Sequence, residues 1–296
     1  MIHSFTSRVA VFLALLAATS LLFSSPLRAL IHLAWKDERY TYLLAVPLLS
    51  AALIFVGKQR IFARTEVDPR VGAAVGVLSL VAWFLAGQWA PSLGPVDGLS
   101  LYGTAISLAW VASLGVCFGG AAVKAAAFPL AFLLLMTPVP ESFMHKAEVG
   151  LQYGSADVTH LLMKLIGMPV FRDGLTFSLP GLDIMVAEEC SGIRSSTVFW
   201  ITAAAASYLF LRSGWSRLAL ITLTVPILIF KNAVRITTLS WLGVYVSRDV
   251  LHGDLHRQGG VPFGLIAIAL LIPVVAGIRK LETWSKRERS VSASPP

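Results

Sequence analysis

Eight apolar runs punctuate the chain, near residues 9–24, 40–57, 71–88, 99–119, 121–138, 195–212, 217–236 and 261–279. Several approach or exceed the roughly 18 to 20 residues that cross a hydrocarbon core as a helix. Only helices or closed barrels satisfy every backbone polar group in lipid, so each run is read as a transmembrane helix. The fourth and fifth runs nearly touch, and their boundary is the least sharply defined. The first has one basic residue before it and no small-x-small cleavage site, so a retained helix is expected rather than a signal peptide.

The longest interruption, 139–194, has its own pattern. From Glu141 to Ile166 apolar positions recur at helical spacing, which predicts a helix lying near the interface, with Gly167 as its cap. Val170 to Arg172, Leu175 to Leu179 and Leu182 to Ala187 are short alternating runs. Asp173-Gly174 and Pro180-Gly181 turns separate them, which predicts a small β-meander. The expected fold is therefore an all-α polytopic membrane protein of about eight transmembrane helices, with an extracytoplasmic segment holding an interfacial helix and a meander. As one domain it divides into five N-terminal helices (1–138), the segment 139–194, a three-helix part (195–279) and a tail (280–296).

Composition agrees with the pattern. The 296 residues are 56% hydrophobic and only 14% charged, where soluble domains carry about a quarter charged residues. That excludes a disordered chain, a coiled coil and a cytosolic enzyme of ordinary make-up. The 24 basic residues exceed the 16 acidic ones, giving +8. No aromatic and basic stripe accompanies them, so membrane lipids rather than nucleic acid are the expected contacts. With the N-terminus inside, Lys and Arg crowd into the inner short loops and the tail and are spread thinly over long outer segments. An N-in, C-in chain follows, with 139–194 and 237–260 outside.

Candidate chemistry gathers at a few positions. Two cysteines make no disulfide framework. Cys117, inside an apolar run, reads as a packing residue. Cys190 lies in Glu188-Glu189-Cys190-Ser191-Gly192-Ile193-Arg194, where the meander enters the sixth helix. A helix start and Arg194 four residues on would favour a thiolate, while the two glutamates oppose it. A buried thiol at a turn, with Glu and Arg snorkelling, is the competing reading. The seventh helix ends in Lys231-Asn232-Ala233-Val234-Arg235-Ile236. Lys231 reads as a snorkelling cation, and Arg235 beside Asn232 as an interior polar pair about 25 Å along the helix. His252 and His256 share i, i+4 spacing, but Gly253 stands where a zinc protease needs Glu. No metal and no cofactor are expected. Cys190 starts one helix, Arg235 closes the next and His256 precedes the last, so all three are expected at the outer surface. A nucleophile, a proton carrier and a charge balancer form an acyl-transfer set.

The run Glu189-Cys190-Ser191-Gly192-Ile193-Arg194-Ser195, the Asn232-x-x-Arg235-Ile236 segment, His256 followed by Gly260 and Phe263, and Pro138-Val139-Pro140 together resemble the exosortase/archaeosortase family. The resemblance implies a transpeptidase of the bacterial cytoplasmic membrane, active at the periplasmic face. Its expected partners are secreted proteins with a C-terminal sorting tag (a Pro-Glu-Pro-type signature, a transmembrane helix and a basic end), together with a lipid or glycan acceptor. It implies catalysis by Cys190, Arg235 and His256; Arg194, Glu189 and Asn232 are the candidate supporting residues. Residues 35–42 depart from the Tyr-Ser-His-Gly run of many relatives, so the subclass is not carried over. A transporter and a non-catalytic component of exopolysaccharide export are the rivals from other classes. A transporter would normally show repeats or polar helices near the midplane, and an export component would have no need of Cys190.

The topology predicts that a membrane-impermeant thiol reagent labels Ser178→Cys and Ser247→Cys in intact spheroplasts and leaves Ser213→Cys unlabelled. The opposite pattern inverts the chain and removes the outer-face chemistry with it.

Overall fold

The computed structural model describes residues 5–63, 68–186, 193–247 and 260–292, with backbone alone for 193–195, 260–261 and 285–292. They fall into two compact units, residues 1–144 and 145–296. Among the described residues six helices are long and apolar enough to cross a membrane; Ala127–Met136 with Glu141–Leu165 is a sharply bent apolar pair, a broken span or a re-entrant loop, and Ser196–Phe210 is a shorter apolar helix. These segments account for all eight apolar runs.

The first unit comprises α1 (Phe5–Leu22), α2 (Ser24–Lys36), α3 (Tyr42–Val56), α4 (Lys58–Ile61), α5 (Arg70–Trp89), α6 (Pro95–Ala125) and α7 (Ala127–Leu133). Helix α2 lies where a loop was expected. Its Pro26 sits in the first turn, where a missing N–H costs nothing, and Leu30 and Ala34 are buried. The fourth and fifth runs are partitioned differently from expectation. Gly119, at φ 82, breaks α6 from within, and after Ala125 the fifth run supplies only α7 and the 3-10 turn Leu134–Met136.

Helices α5 and α6 pack backbone to backbone. A Cβ on Gly72 would collide with the backbone of Gly115 and Val116, and one on Gly115 would lie 2.7 Å from the Gly72 Cα. Small residues of this kind let helices approach where lipid offers no hydrophobic drive to associate. Ser79 ties the seam further, its hydroxyl donating to the Ala105 carbonyl at 2.8 Å. Cys117 is buried beside Leu114, Phe118 and Ala122, as a packing residue should be.

Pro138-Val139-Pro140 closes this unit. Prolines carry no N–H, so Val139 holds the run's one backbone donor. The Tyr42 hydroxyl accepts it at 3.4 Å, and the Tyr40 hydroxyl donates to the Val139 carbonyl at 3.2 Å. The Ser100 hydroxyl donates to the Pro138 carbonyl at 2.7 Å. Side chains thus replace the helical bonds that the prolines forbid.

The second unit holds most of α8 (Glu141–Leu165), β1 (Phe171–Asp173), β2 (Thr176–Leu179), β3 (Leu182–Met185), α9 (Ile193–Phe210), α10 (Gly214–Tyr245) and α11 (Gly260–Ser292). The meander is antiparallel in the order β1-β2-β3. Its register pairs Asp173 with Thr176 and Leu179 with Leu182, giving two-residue turns that need Gly174 at φ 59 and Gly181 at φ 72. Gly167, at φ 70, ends α8 in a Schellman arrangement: its N–H meets the Lys164 carbonyl, and the Met168 N–H meets that of Met163.

Two helices outrun their predicted ends. Helix α10 continues to Tyr245, because Thr237, Leu239, Ser240 and Gly243 are buried and the Ser240 hydroxyl is satisfied by the Ile236 carbonyl at 2.7 Å. Helix α11 runs on to Ser292 through a Lys-, Glu- and Arg-rich stretch of good helix formers. A core of Ala203, Leu211, Leu220, Ile227, Ala267 and Leu271 joins α9, α10 and α11.

The glycine seam makes a graded prediction. Gly72→Ala must push α5 off α6 and should cost about 1–3 kcal/mol. Gly76→Ala meets only the Ala112 methyl at 3.7 Å and should cost little. Thermal unfolding in detergent ranks the two; a more damaging Gly76→Ala would refute the seam.

Candidate functional site

The buried stripe of α8 is more polar than its sequence pattern suggested. Glu148, Gln152, Ser155 and Thr159 are all buried, with Ser155 and Thr159 fully so, beside Met144, Ala156 and Met163. Phe143, Leu161, Leu165 and Ile166 face outward instead. A helix with polar groups inward and apolar groups outward is what a lipid-facing element around a polar interior requires. The spacing 148, 152, 155, 159 was available in the sequence as a polar stripe at helical period.

On α10, Lys231, Asn232, Thr237 and Ser240 are all buried. The Asn232 amide donates to the Ser155 hydroxyl at 3.0 Å. One position away, Gly154 lets Ile229 pack in, since a Cβ there would stand 3.0 Å from the Ile229 Cδ1. Lys231 is only 3% exposed, so it is an interior cation and not the snorkelling one expected. Arg235 is half-buried, one turn beyond Lys231 and Asn232. It does not close α10: ten residues follow it, about 15 Å of helix. The extension is held by the meander, where Phe177, Leu179 and Val186 pack against Ile236 and Val244.

The meander's exit is fixed from α8. Gln152 is buried, and its amide donates to the Val186 carbonyl at 3.2 Å. The Arg172 guanidinium pairs with Asp157 at 2.7 Å and lies over the Phe177 ring, tying the hairpin to the same helix. The Thr159 and Thr237 hydroxyls are buried with no hydrogen-bond partner among the described residues. Hydroxyls in that state are what a polar ligand or a water would satisfy.

Cys190, Glu189 and His256 lie outside the described residues, as does His252. Arg194 is the second residue of α9. Of the six candidate residues, Asn232 and Arg235 are therefore the two with described side chains, Asn232 buried and Arg235 half-buried one turn beyond it on α10. In the first unit, residues 35–42 include the charged pair Arg39–Asp37. There the Arg39 guanidinium, bonded to Asp37 at 2.7 Å, holds that carboxyl below its usual range.

The Ser155–Asn232 contact should behave as one unit in a double-mutant cycle. Each of Ser155→Ala and Asn232→Ala should lower stability by about 1–2 kcal/mol. The double variant should lose little more than the worse single one, whereas full additivity would deny the coupling.

Residues 34–273 match the family model described as transmembrane exosortase. No curated protein and no solved structure matches the chain.

Proposed function

This chain belongs to the transmembrane exosortase family, and on that premise we propose that it is a cysteine transpeptidase with Cys190 as nucleophile. Its substrates are secreted proteins ending in a sorting tag, and the site faces the outside of the bacterial cytoplasmic membrane. The Cys190 thiolate attacks the peptide carbonyl carbon beside the substrate's transmembrane helix, and the carbonyl π pair moves to oxygen. Arg235 balances that oxyanion, where a fixed charge in a low-dielectric site acts far more strongly than in water. Collapse of the intermediate expels the amine, which takes a proton from His256, and leaves a thioester. His256 then accepts a proton from the acceptor's nucleophile, which attacks the thioester and releases the thiolate. The acceptor is a lipid or glycan.

The observation that carries this reading is the pair of buried hydrogen bonds on α8. Gln152 fixes Val186, and four residues, at most about 14 Å of chain, lead from Val186 to Cys190. Ser155, one turn along, fixes Asn232, one turn from Arg235. Val186 and the helix that carries Arg235 are thus both bonded to α8, which supports a common alignment of the kind acyl transfer needs. Arg194 and the start of α9 favour the thiolate over the thiol.

Cys190→Ala should abolish processing of a tagged substrate at normal protein abundance, and Cys190→Ser should be nearly as inactive, since a hydroxyl is hardly ionised at neutral pH. Cys117→Ala should process normally. The readout is the ratio of full-length to tag-cleaved substrate on a gel. Wild-type cleavage by Cys190→Ala would overturn the assignment and favour a non-catalytic role in export.

A further inference from the structure

The groove between α9 and α11 has no part in the chemistry above. It encloses about 600 Å³, lined on α9 by Ala206 and Phe210 and on α11 by Ile268, Leu271, Ile272 and Val275, with Arg279 and Lys280 at one end. A second lobe of about 290 Å³ continues past Phe210 and Arg279 to Arg212 and Glu282. From Ile268 to Arg279 is eleven residues, about 16 Å of helix. Half of a hydrocarbon core roughly 30 Å thick is about 15 Å. The apolar part therefore has the depth of one leaflet, too short for a spanning helix.

Charge selects the head of the occupant. Arg212, Arg279 and Lys280 are exposed, and none forms an ion pair with a described residue. Among the described side chains there, one carboxylate lies with them. Glu282 accepts from the backbone N–H groups of Arg212 and Ser213 at 2.7–3.3 Å, at the start of α10, where an anion meets unpaired helix donors. Three cations to one engaged carboxylate, placed where an apolar slot ends, complement an anionic amphiphile. The basic end of a peptide would be repelled there.

We propose that this groove is a binding site for an anionic phospholipid, its acyl chains along Phe210, Leu271 and Val275 and its phosphate between Arg279, Lys280 and Arg212. The site is separate from the acyl-transfer centre. Phe210 lies at the far end of α9 from Ile193, seventeen residues and about 26 Å along the axis. The bound lipid seals α9 to α11 and supports the three-helix core.

The test uses the full chain in mild detergent, with lipid retention read by native mass spectrometry after exposure to equimolar phosphatidylglycerol and phosphatidylethanolamine. Wild type should retain phosphatidylglycerol preferentially and melt higher in its presence. Each of Arg279→Gln and Lys280→Gln should weaken that preference about fivefold, the effect expected of one cation near an anionic headgroup. Ile272→Trp, which fills the slot without altering charge, should lower retention of both lipids. Lys58→Gln with Arg60→Gln, exposed cations on α4 far along the sequence, should change neither. Equal retention of the two phospholipids by wild type would overturn the proposal. So would an equal loss of preference in the Lys58/Arg60 variant, which would mark the binding as general surface adsorption. Because none of these measurements reads catalysis, failure here leaves the transpeptidase reading untouched, and the reverse also holds.

Discussion

A polar group removed from water must be met by another, and that requirement organises the second unit. Helix α8 buries Glu148, Gln152, Ser155 and Thr159 on one face, a choice that would be ruinous unless partners were supplied. Two of the four meet partners from different places: Ser155 accepts from the Asn232 amide on α10, and Gln152 donates to the Val186 carbonyl just past β3, while the Thr159 hydroxyl is left to a ligand or a water. Since these bonds are directional, they set the rotation of α8 and the height of α10 together, where apolar packing alone would let helices slide. The meander then covers the upper part of α10 with Phe177 and Leu179, which allows that helix to extend to Tyr245.

The same logic holds elsewhere by other means. In the first unit, glycines at Gly72 and Gly115 bring two backbones into contact, and hydroxyls of Tyr40, Tyr42 and Ser100 occupy the groups that Pro138 and Pro140 leave without helical partners. At the α9–α10 turn the two helix ends are answered by charge of the right sign. The Arg217 guanidinium donates to the Leu211 carbonyl near the end of α9, and Glu282 accepts at the start of α10.

Much of this was legible in the sequence because periodicity and turn chemistry are local. The eight apolar runs, the Gly167 cap and both meander turns follow from residue order, since Gly174 and Gly181 occupy positions that demand positive φ. What the sequence concealed depends on partners. Helix α2 looked like a loop because its apolar face is short, and α10 looked finished at Ile236 because Thr237 and Ser240 lower the hydropathy of a stretch that is in fact buried. Lys231 read as a snorkelling residue because nothing local shows that its surroundings close over it. The α8 stripe was written in plain spacing, but its apolar positions drew attention away from its polar ones. Asn232 was recognised as an interior group from its neighbours; its partner Ser155, 77 residues earlier, could be found only in three dimensions.

The central claim is that the support built by α8 serves a thiolate at Cys190. A peptide bearing the Pro-Glu-Pro signature, with an electrophilic ketone in place of the scissile bond, tests it most directly when incubated with membranes containing the chain. Mass spectrometry then identifies the modified residue. The account predicts a single adduct on Cys190, prevented by excess unmodified tag peptide and slowed in Gln152→Leu. An adduct on Cys117, or none at all under conditions where a small thiol reagent modifies Cys190, would contradict it.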